Sequence, residues 1–339
     1  MKYVNLGRTA LKVSRICLGT MNFGWQTSAE TSFDIMSEAL ELGINFFDTA
    51  DVYGSMNFDE RGGSERIIGE WLSQDSTRRD KIVLATKVYG EMGYGPNDVG
   101  LSAYRIKRCC EASLRRLQTD HIDLYQMHRI DRSAPWEEVW QAMEQLVREG
   151  KVTYFGTSNF AGWHIATANQ EANKRNLMGP VTEQCGYSLL RRSFELDVIP
   201  ACESYGMSVI PWGPLAGGML GGIIGKAKEG RRSLPRIQEP MQKIRPQLET
   251  WESFCKELGE LPGETALAWL LSRPIVAAPT IGPRTVAQLE SSVHSLEIVL
   301  SQDALEKIDE IFPGPSNESP EAYWPIGDGA VRFGKIDVV

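Results

Sequence analysis

ICLGTMNFGWQTSAETSFDIMSEALELGINFFDTA, residues 16–50, decides the architecture. It opens on a short apolar run, ICLGT (16–20), and continues as SFDIMSEALELG (32–43). There Ile35, Ala39 and Leu42 recur at three- and four-residue steps, the spacing of one helix face. The stretch closes on a second apolar run, INFFDTA (44–50). Near-continuous apolar runs separated by helix-length segments are the pattern of parallel strands buried on both faces.

The same texture recurs along the chain in IVLATKV (82–88), HIDLYQMH (121–128), VTYFGTSN (152–159), VTEQCGYS (181–188), MSVIPWGP (207–214) and VAAPTIGP (276–283). That makes eight strand candidates, each followed by a plausible helix. Eight β–α units predict an α/β fold of the (β/α)8 TIM-barrel type, whose usual size is about 250 residues. A doubly wound open sheet would carry G-x-G-x-x-G after its first strand, and that spacing is absent.

Residues 2–14 read as an N-terminal hairpin turning at Gly7 and Arg8 and plugging the barrel floor. Residues 215–246 form a Gly-rich, then basic segment after strand seven, too long for an ordinary connection. The expected organisation is one barrel over 1–312 and a C-terminal tail over 313–339.

Among the 339 residues, 36 Lys and Arg stand against 44 Asp and Glu, a formal net charge of −8. An acidic chain without a basic cluster is a poor nucleic-acid or membrane-surface binder. No signal-peptide pattern and no transmembrane run are present, and the six cysteines form no C-x-x-C pair. Reduced thiols in a cytoplasm are the expectation.

In a barrel of this kind, chemistry sits at the C-terminal ends of the strands. Those ends carry Asp48 and then Tyr53 (strand two), Lys87 (strand three), His128 (strand four), Ser158 and Asn159 (strand five) and Gln184 (strand six). Taken singly, Asp48 reads equally as a turn cap, Tyr53 as a rim tyrosine, Lys87 as a solvated strand end and His128 as a structural histidine. Together they suit protonation of a carbonyl oxygen. Tyr53 is the proton donor, Lys87 favours its ionised form, Asp48 holds Lys87 and His128 orients the carbonyl. His121, His128, His164 and His294 show no metal-ligand spacing, so no metal is expected. Cys109 and Cys110 read as packing residues, and the Walker-like spacing at 329–335 lacks its Ser/Thr and reads as coincidence.

The chain resembles the aldo-keto reductase superfamily over about residues 2–312. The resemblance rests on NLGRTALKVSRICLGTMNFG, GINFFDTADVYG, GGSERIIGEWL, ATKV, LRRLQTDHIDLYQMHRID, REGKVTYFGTSNF, QCGYSLL, VIPWGPLAGGML and TIGPRTVAQLE. It implies a barrel that binds NADPH without a Rossmann domain, and a tetrad of Asp48, Tyr53, Lys87 and His128. Ser158, Asn159 and Gln184 match residues that bond the nicotinamide carboxamide, and Trp212 matches the aromatic ring that stacks on the nicotinamide. Gly213, Pro214, Leu215, Ala216 and Gly217, running toward Leu220, match the loop beside the pyrophosphate. Gly282 to Gln288 matches the adenosine-phosphate segment, with Arg284 suited to a 2′-phosphate and Ser292 near the adenine. Gly19, Thr20 and Met21 match the segment facing the nicotinamide. Trp25 is the expected wall of the substrate pocket, beside Tyr53 and His128, and the loop 55–62 shapes its rim.

The family pattern is departed from at Gly213, at Gly221–Gly222–Ile223 and at Ser292, where other residues are usual. Arg231 and Arg232 read as a solvated basic turn or as phosphate contacts. The resemblance implies an NADPH-dependent carbonyl reductase with a small-molecule carbonyl partner. It lies nearest the bacterial branch that includes potassium-channel β subunits, and the ending FPGPSNESPEAYWP resembles actinomycete members acting on nucleotide-linked keto-deoxysugars. The alternatives are a broad aldehyde-detoxifying reductase and a cofactor-binding regulatory subunit with slow turnover. A homo-oligomer is compatible with either.

Overall fold

The computed structural model describes residues 1–55, 57–224 and 233–315. The expected tail from 316 onward, the Walker-like stretch, and Arg231 and Arg232 lie outside the described residues.

The hairpin forms from β1 (Tyr3–Asn5) and β2 (Lys12–Ser14), paired antiparallel. The barrel strands follow in sequence as β3 (Cys17–Gly19), β4 (Phe46–Asp48), β5 (Val83–Val88), β6 (Ile122–Met127), β7 (Val152–Ser158), β8 (Pro180–Gln184), β9 (Ser208–Val209) and β10 (Thr280–Ile281). All eight are parallel, in the order β10-β3-β4-β5-β6-β7-β8-β9. Parallel bridges from Val209 to Val276 and from Trp212 to Thr280 close the ring.

Each of the eight expected strands is present, but the last two are much shorter than their apolar runs. The reason is covalent. Pro211 and Pro279 have no N–H to offer a ladder and enter it only as acceptors, from Thr280 N at 2.8 Å and Cys17 N at 3.1 Å.

Helices α1 (Ala29–Glu41), α2 (Gly63–Ser73), α3 (Ala103–Leu117), α4 (Trp136–Arg148), α5 (Gly162–Lys174) and α6 (Val198–Ser204) alternate with the strands. After β9 come α7 (Pro235–Lys243), α8 (Arg245–Leu258) and α9 (Pro262–Leu271), then α10 (Val286–His294) and α11 (Gln302–Ile311) after β10. Within the described residues, the segment 215–246 is therefore less irregular than its composition suggested. It holds a 3-10 turn at Ala216–Gly221 and the helix α7, which starts on Pro235.

Two cores result. The larger lies between sheet and helices and includes Trp71, Trp140, Trp251 and Trp269, all fully buried. The smaller fills the barrel floor: Leu6 and Val13 of the hairpin region pack on Cys17, Phe46, Val83, Ala85, Leu124, Val181 and Ile210. The hairpin thus plugs the floor as expected.

Candidate active site

Side chains alternate across a strand, so residues two apart share a face. One step above the floor residues Phe46, Ala85 and Leu124 come Asp48, Lys87 and Gln126. Lys87 and Gln126 are partners in the sheet register, as are Ser158 and Gln184. The upper layer of the barrel is therefore polar for the same geometric reason that the lower one is apolar. Gly156 gives this layer its room: a Cβ there would lie 2.4 Å from Thr182 Oγ1 and 3.0 Å from Gln126 Cγ.

Asp48 is the hub. Its Oδ2 accepts from Lys87 Nζ at 2.6 Å, and its Oδ1 accepts from both Gln126 Nε2 and Gln184 Nε2 at 2.9 Å. Three donors converge on this one carboxyl group, and it fixes the orientation of both amides. Lys87 also donates to the Thr49 carbonyl at 2.8 Å and to Tyr53 Oη at 3.4 Å. Burial alone would lower the Lys87 pKa, but Asp48 and Tyr53 outweigh it and hold the ammonium above the usual lysine value.

The Tyr53 ring meets His128 edge-on, with centroids 5.7 Å apart. Burial pushes the Tyr53 phenol above its usual 10, against the downward pull of Lys87 and with Asp48 adding to the rise. This corrects the sequence expectation that Lys87 would win. Desolvation and the nearby carboxylate together exceed the ammonium's effect, so Tyr53 is a protonated phenol with a cation beside it. Burial pushes His128 down to about 3, with Lys87 and Arg129 adding to the effect. His128 is therefore a neutral imidazole, able to donate one hydrogen bond without carrying charge.

The other expected residues surround this centre. Ser158 Oγ donates to the Gln184 carbonyl at 2.9 Å and accepts from Asn159 Nδ2 at 3.0 Å. Asn159 also donates to the His128 carbonyl at 3.2 Å and accepts from Trp212 Nε1 at 3.0 Å. Its backbone sits at φ +59°, a left-handed conformation that Asn tolerates. Trp212 keeps 37% of its surface exposed, with the Arg191 guanidinium 5.3 Å from its ring centroid. Trp25 lies half-buried in the loop after β3, where neighbouring Gly24 packs against Gly54, next to Tyr53. Met21 is exposed beside it. Thr20 is fully buried and spent internally, bonded to the Asp48 carbonyl at 3.0 Å and to Ser64 at 2.7 Å. Gly19 is accounted for by close packing, since a Cβ would lie 2.5 Å from the Thr280 side chain.

The fit to a nicotinamide dinucleotide rests on these groups. Gln184 commits its Nε2 to Asp48 at 2.9 Å, which leaves its Oε1 as the atom that could accept from an amide. Beyond Trp212, Gly213 has open space around it, and Ala216, Gly217 and Gly218 take φ values of +48°, +71° and +96°. The Ala216 and Gly218 N–H groups turn inward to the Gly213 and Leu215 carbonyls at 2.8 and 2.9 Å, so this loop is shaped by its own turns. Asn22 Nδ2 reaches the Gly282 carbonyl at 2.9 Å, tying the loop after β3 to the segment before α10. At α10, Thr285 caps Gln288 N at 3.3 Å, Gln288 Oε1 accepts from Arg284 N at 2.9 Å, and Ser292 bonds the Gln288 carbonyl at 2.8 Å. The Arg284 guanidinium makes no hydrogen bond or ion pair among the described residues, which leaves it available to an anion.

Gln126, Arg191 and the Thr49 carbonyl were not singled out from sequence. Gln126 had a signal, a polar residue at the inward position of an apolar strand. Glu260, Glu264 and His294 also converge, each offering one ligand atom within 4.8 Å of the others. Glu264 there is already bonded to Ser291 at 2.6 Å and His294 at 2.9 Å, an ion-pair network. No helix among the described residues is long and apolar enough to cross a membrane.

A sequence profile described as "Aldo/keto reductase family" matches residues 15–312. The chain is 54% identical over 327 residues to the "Uncharacterized oxidoreductase YrpG" of Bacillus subtilis, covering 95% of this chain and 99% of that one. It is 34% identical over 329 residues to the "Putative voltage-gated potassium channel subunit beta" of Schizosaccharomyces pombe, covering 91% and 92% respectively. It is 34% identical over 316 residues to the "Norsolorinic acid reductase" of Aspergillus flavus, covering 89% and 79%. Members of the matched family are oxidoreductases that generally use NAD(P)H. On the coverage of the profile and of these relatives, the chain belongs to the aldo/keto reductase family.

Proposed function

We propose that this chain is an NADPH-dependent carbonyl reductase acting on an aldehyde or ketone. One observation carries the reading: the Tyr53 hydroxyl lies 3.4 Å from the Lys87 ammonium that Asp48 holds at 2.6 Å, with the His128 imidazole edge-on to its ring.

When bound, a reduced nicotinamide supplies the hydride to the carbonyl carbon. Tyr53 passes its phenolic proton to the carbonyl oxygen, which leaves an alcohol. The phenolate that remains is stabilised by Lys87, whose ammonium is already desolvated and anchored. His128 donates a hydrogen bond that orients the carbonyl oxygen without adding a competing charge. Tyr53, Lys87, Asp48 and His128 are the residues to which catalysis is assigned. Ser158, Asn159, Gln184, Trp212 to Gly217, Gly282, Arg284, Gln288 and Ser292 are assigned to the cofactor. Arg284, whose guanidinium has no partner among the described residues, favours NADPH, because a guanidinium matches a 2′-phosphate bidentately.

The substrate we put forward is a nucleotide-linked keto-deoxysugar, with broad aldehyde reduction as the competing assignment. The name of the Aspergillus flavus relative, a reductase, favours the reductive direction. A second reading, a slow cofactor-binding subunit in the cytoplasm, draws on the channel β-subunit relative. The test is NADPH consumption, followed by its near-ultraviolet absorbance, across simple aldehydes, α-dicarbonyls and nucleotide-linked keto sugars. Turnover abolished by Tyr53→Phe supports the reductase. Tight NADPH binding with no turnover on any of them supports the subunit instead.

A further inference from the structure

Thr157 and Glu183 are partners in the β7–β8 register, one position before Ser158 and Gln184. By alternation they turn away from the mouth, into the packing between sheet and helices. Glu183 is completely buried. Its Oε1 accepts the backbone N–H of Phe160 at 3.1 Å, and its Oε2 lies 2.5 Å from Thr157 Oγ1. That hydroxyl also donates to the Thr182 carbonyl at 3.1 Å. A hydroxyl has one proton, and a carbonyl has none to give. Thr157 Oγ1 thus faces two acceptors with one proton, and a second proton, on Glu183 Oε2, satisfies both contacts at once.

We infer that Glu183 is held as a neutral carboxylic acid and is the positioning residue for the Ser158–Phe160 turn. The chain leaves the sheet at Asn159, so Phe160 N has no strand partner and takes Glu183 instead. That bond sets Asn159, which in turn holds the His128 carbonyl at 3.2 Å and Trp212 Nε1 at 3.0 Å. The consequence for the cofactor rests on the reductase reading; the protonation state does not.

The electrostatic surroundings agree. Burial pushes Glu183 up to about 8, against the pull of the Thr157, Phe160 and Asn159 donors. The titratable groups that sense its charge are Cys185, just past the end of its strand, and Cys202 on α6, both thiols raised by burial. Beyond Cys202 stand Glu203 and Asp197, and on α5 His164 is lowered by burial. The neighbouring cations Arg191 and Arg132 act on Cys185 and His164, not on Glu183. The folded state thus keeps a proton that an unfolded glutamic acid releases above its usual 4.5, so stability falls as pH rises from 4.5 to about 8.

Glu183→Gln tests this, because a carboxamide copies the neutral acid: its N–H₂ donates to Thr157 and its oxygen accepts from Phe160. Three readouts are compared between pH 6 and pH 10, about two pH units either side of the transition. Difference infrared spectra of wild type minus Glu183→Gln should show a carboxylic-acid carbonyl band at neutral pH that disappears near pH 8. Asp51→Asn is run in parallel, because buried Asp51 is itself raised to about 7. Hydrogen exchange of the 155–165 segment, corrected for intrinsic rate, should accelerate above pH 8 in wild type and stay flat in Glu183→Gln. NADPH affinity, read by fluorescence, should fall about tenfold per pH unit above the transition in wild type alone.

Thr157→Val is the second variant. It removes the hydroxyl that could turn to the ionised carboxylate, and so should move the transition to higher pH. Absence of the acid band, or equal exchange profiles in wild type and Glu183→Gln, overturns the proposal. Failure to bind NADPH at any pH, with band and exchange as expected, counts against the reductase reading and leaves the Glu183 assignment standing.

Discussion

Lys87 Nζ stands 2.6 Å from Asp48 Oδ2, and neither side chain is open to solvent. Buried ion pairs hold only when their remaining valences are filled. Here Thr49, Tyr53, Gln126 and Gln184 fill them. One anchored charge serves both the stability of the barrel mouth and the chemistry assigned to Tyr53.

Removing one partner should expose that dependence. Lys87→Met leaves a buried carboxylate without its cation, and such losses cost roughly 3–5 kcal/mol. Urea unfolding at neutral pH should show a drop of this order in wild-type stability. A change under about 1 kcal/mol would mean that Gln126 and Gln184 suffice to hold Asp48.

Tyr53→Phe removes the proton donor and leaves the packing almost unchanged. Turnover on a carbonyl substrate should fall by roughly 10²–10⁴, the range for a positioned general acid. NADPH affinity should stay near wild type, because no cofactor contact is assigned to the phenol. Retained turnover would assign the proton to another group.

The pH behaviour of His128 follows from its lowered pKa. The unfolded histidine takes up a proton below about 6.5, whereas the folded one resists until about 3. Stability therefore falls as pH drops through that window, because the unfolded state binds the extra proton. His128→Gln should flatten this part of the acid limb in urea midpoints compared between neutral and mildly acidic buffer. Identical acid limbs in the two proteins would show that His128 charges in the folded state.

Arg284→Ala isolates the cofactor choice. A hydrogen-bonded contact to a charged group contributes about 1.5–3 kcal/mol, so KM for NADPH should rise roughly tenfold to a hundredfold. KM for NADH should hardly move. Equal losses for both cofactors would place Arg284 against a phosphate they share.

Much of this was legible in the chain, for a physical reason. Strands buried on both faces must be apolar throughout, so the eight strand runs, the plugging hairpin and the polar strand ends could be found by position. Asp48, Tyr53, Lys87 and His128 stood out only together, as polar groups at consecutive strand ends where a barrel places its chemistry. Residues that act through register were not legible. Gln126 reaches Asp48 across the ring from two strands away, and Glu183 takes a proton because of what Thr157 faces. The rise of Tyr53 above its usual pKa depends on burial, which no spacing records. Which elements form, and which polar groups reach the mouth, follows from the order of residues along the chain. How those groups share protons is a property of the folded barrel, because it depends on distances and desolvation between residues far apart in the chain.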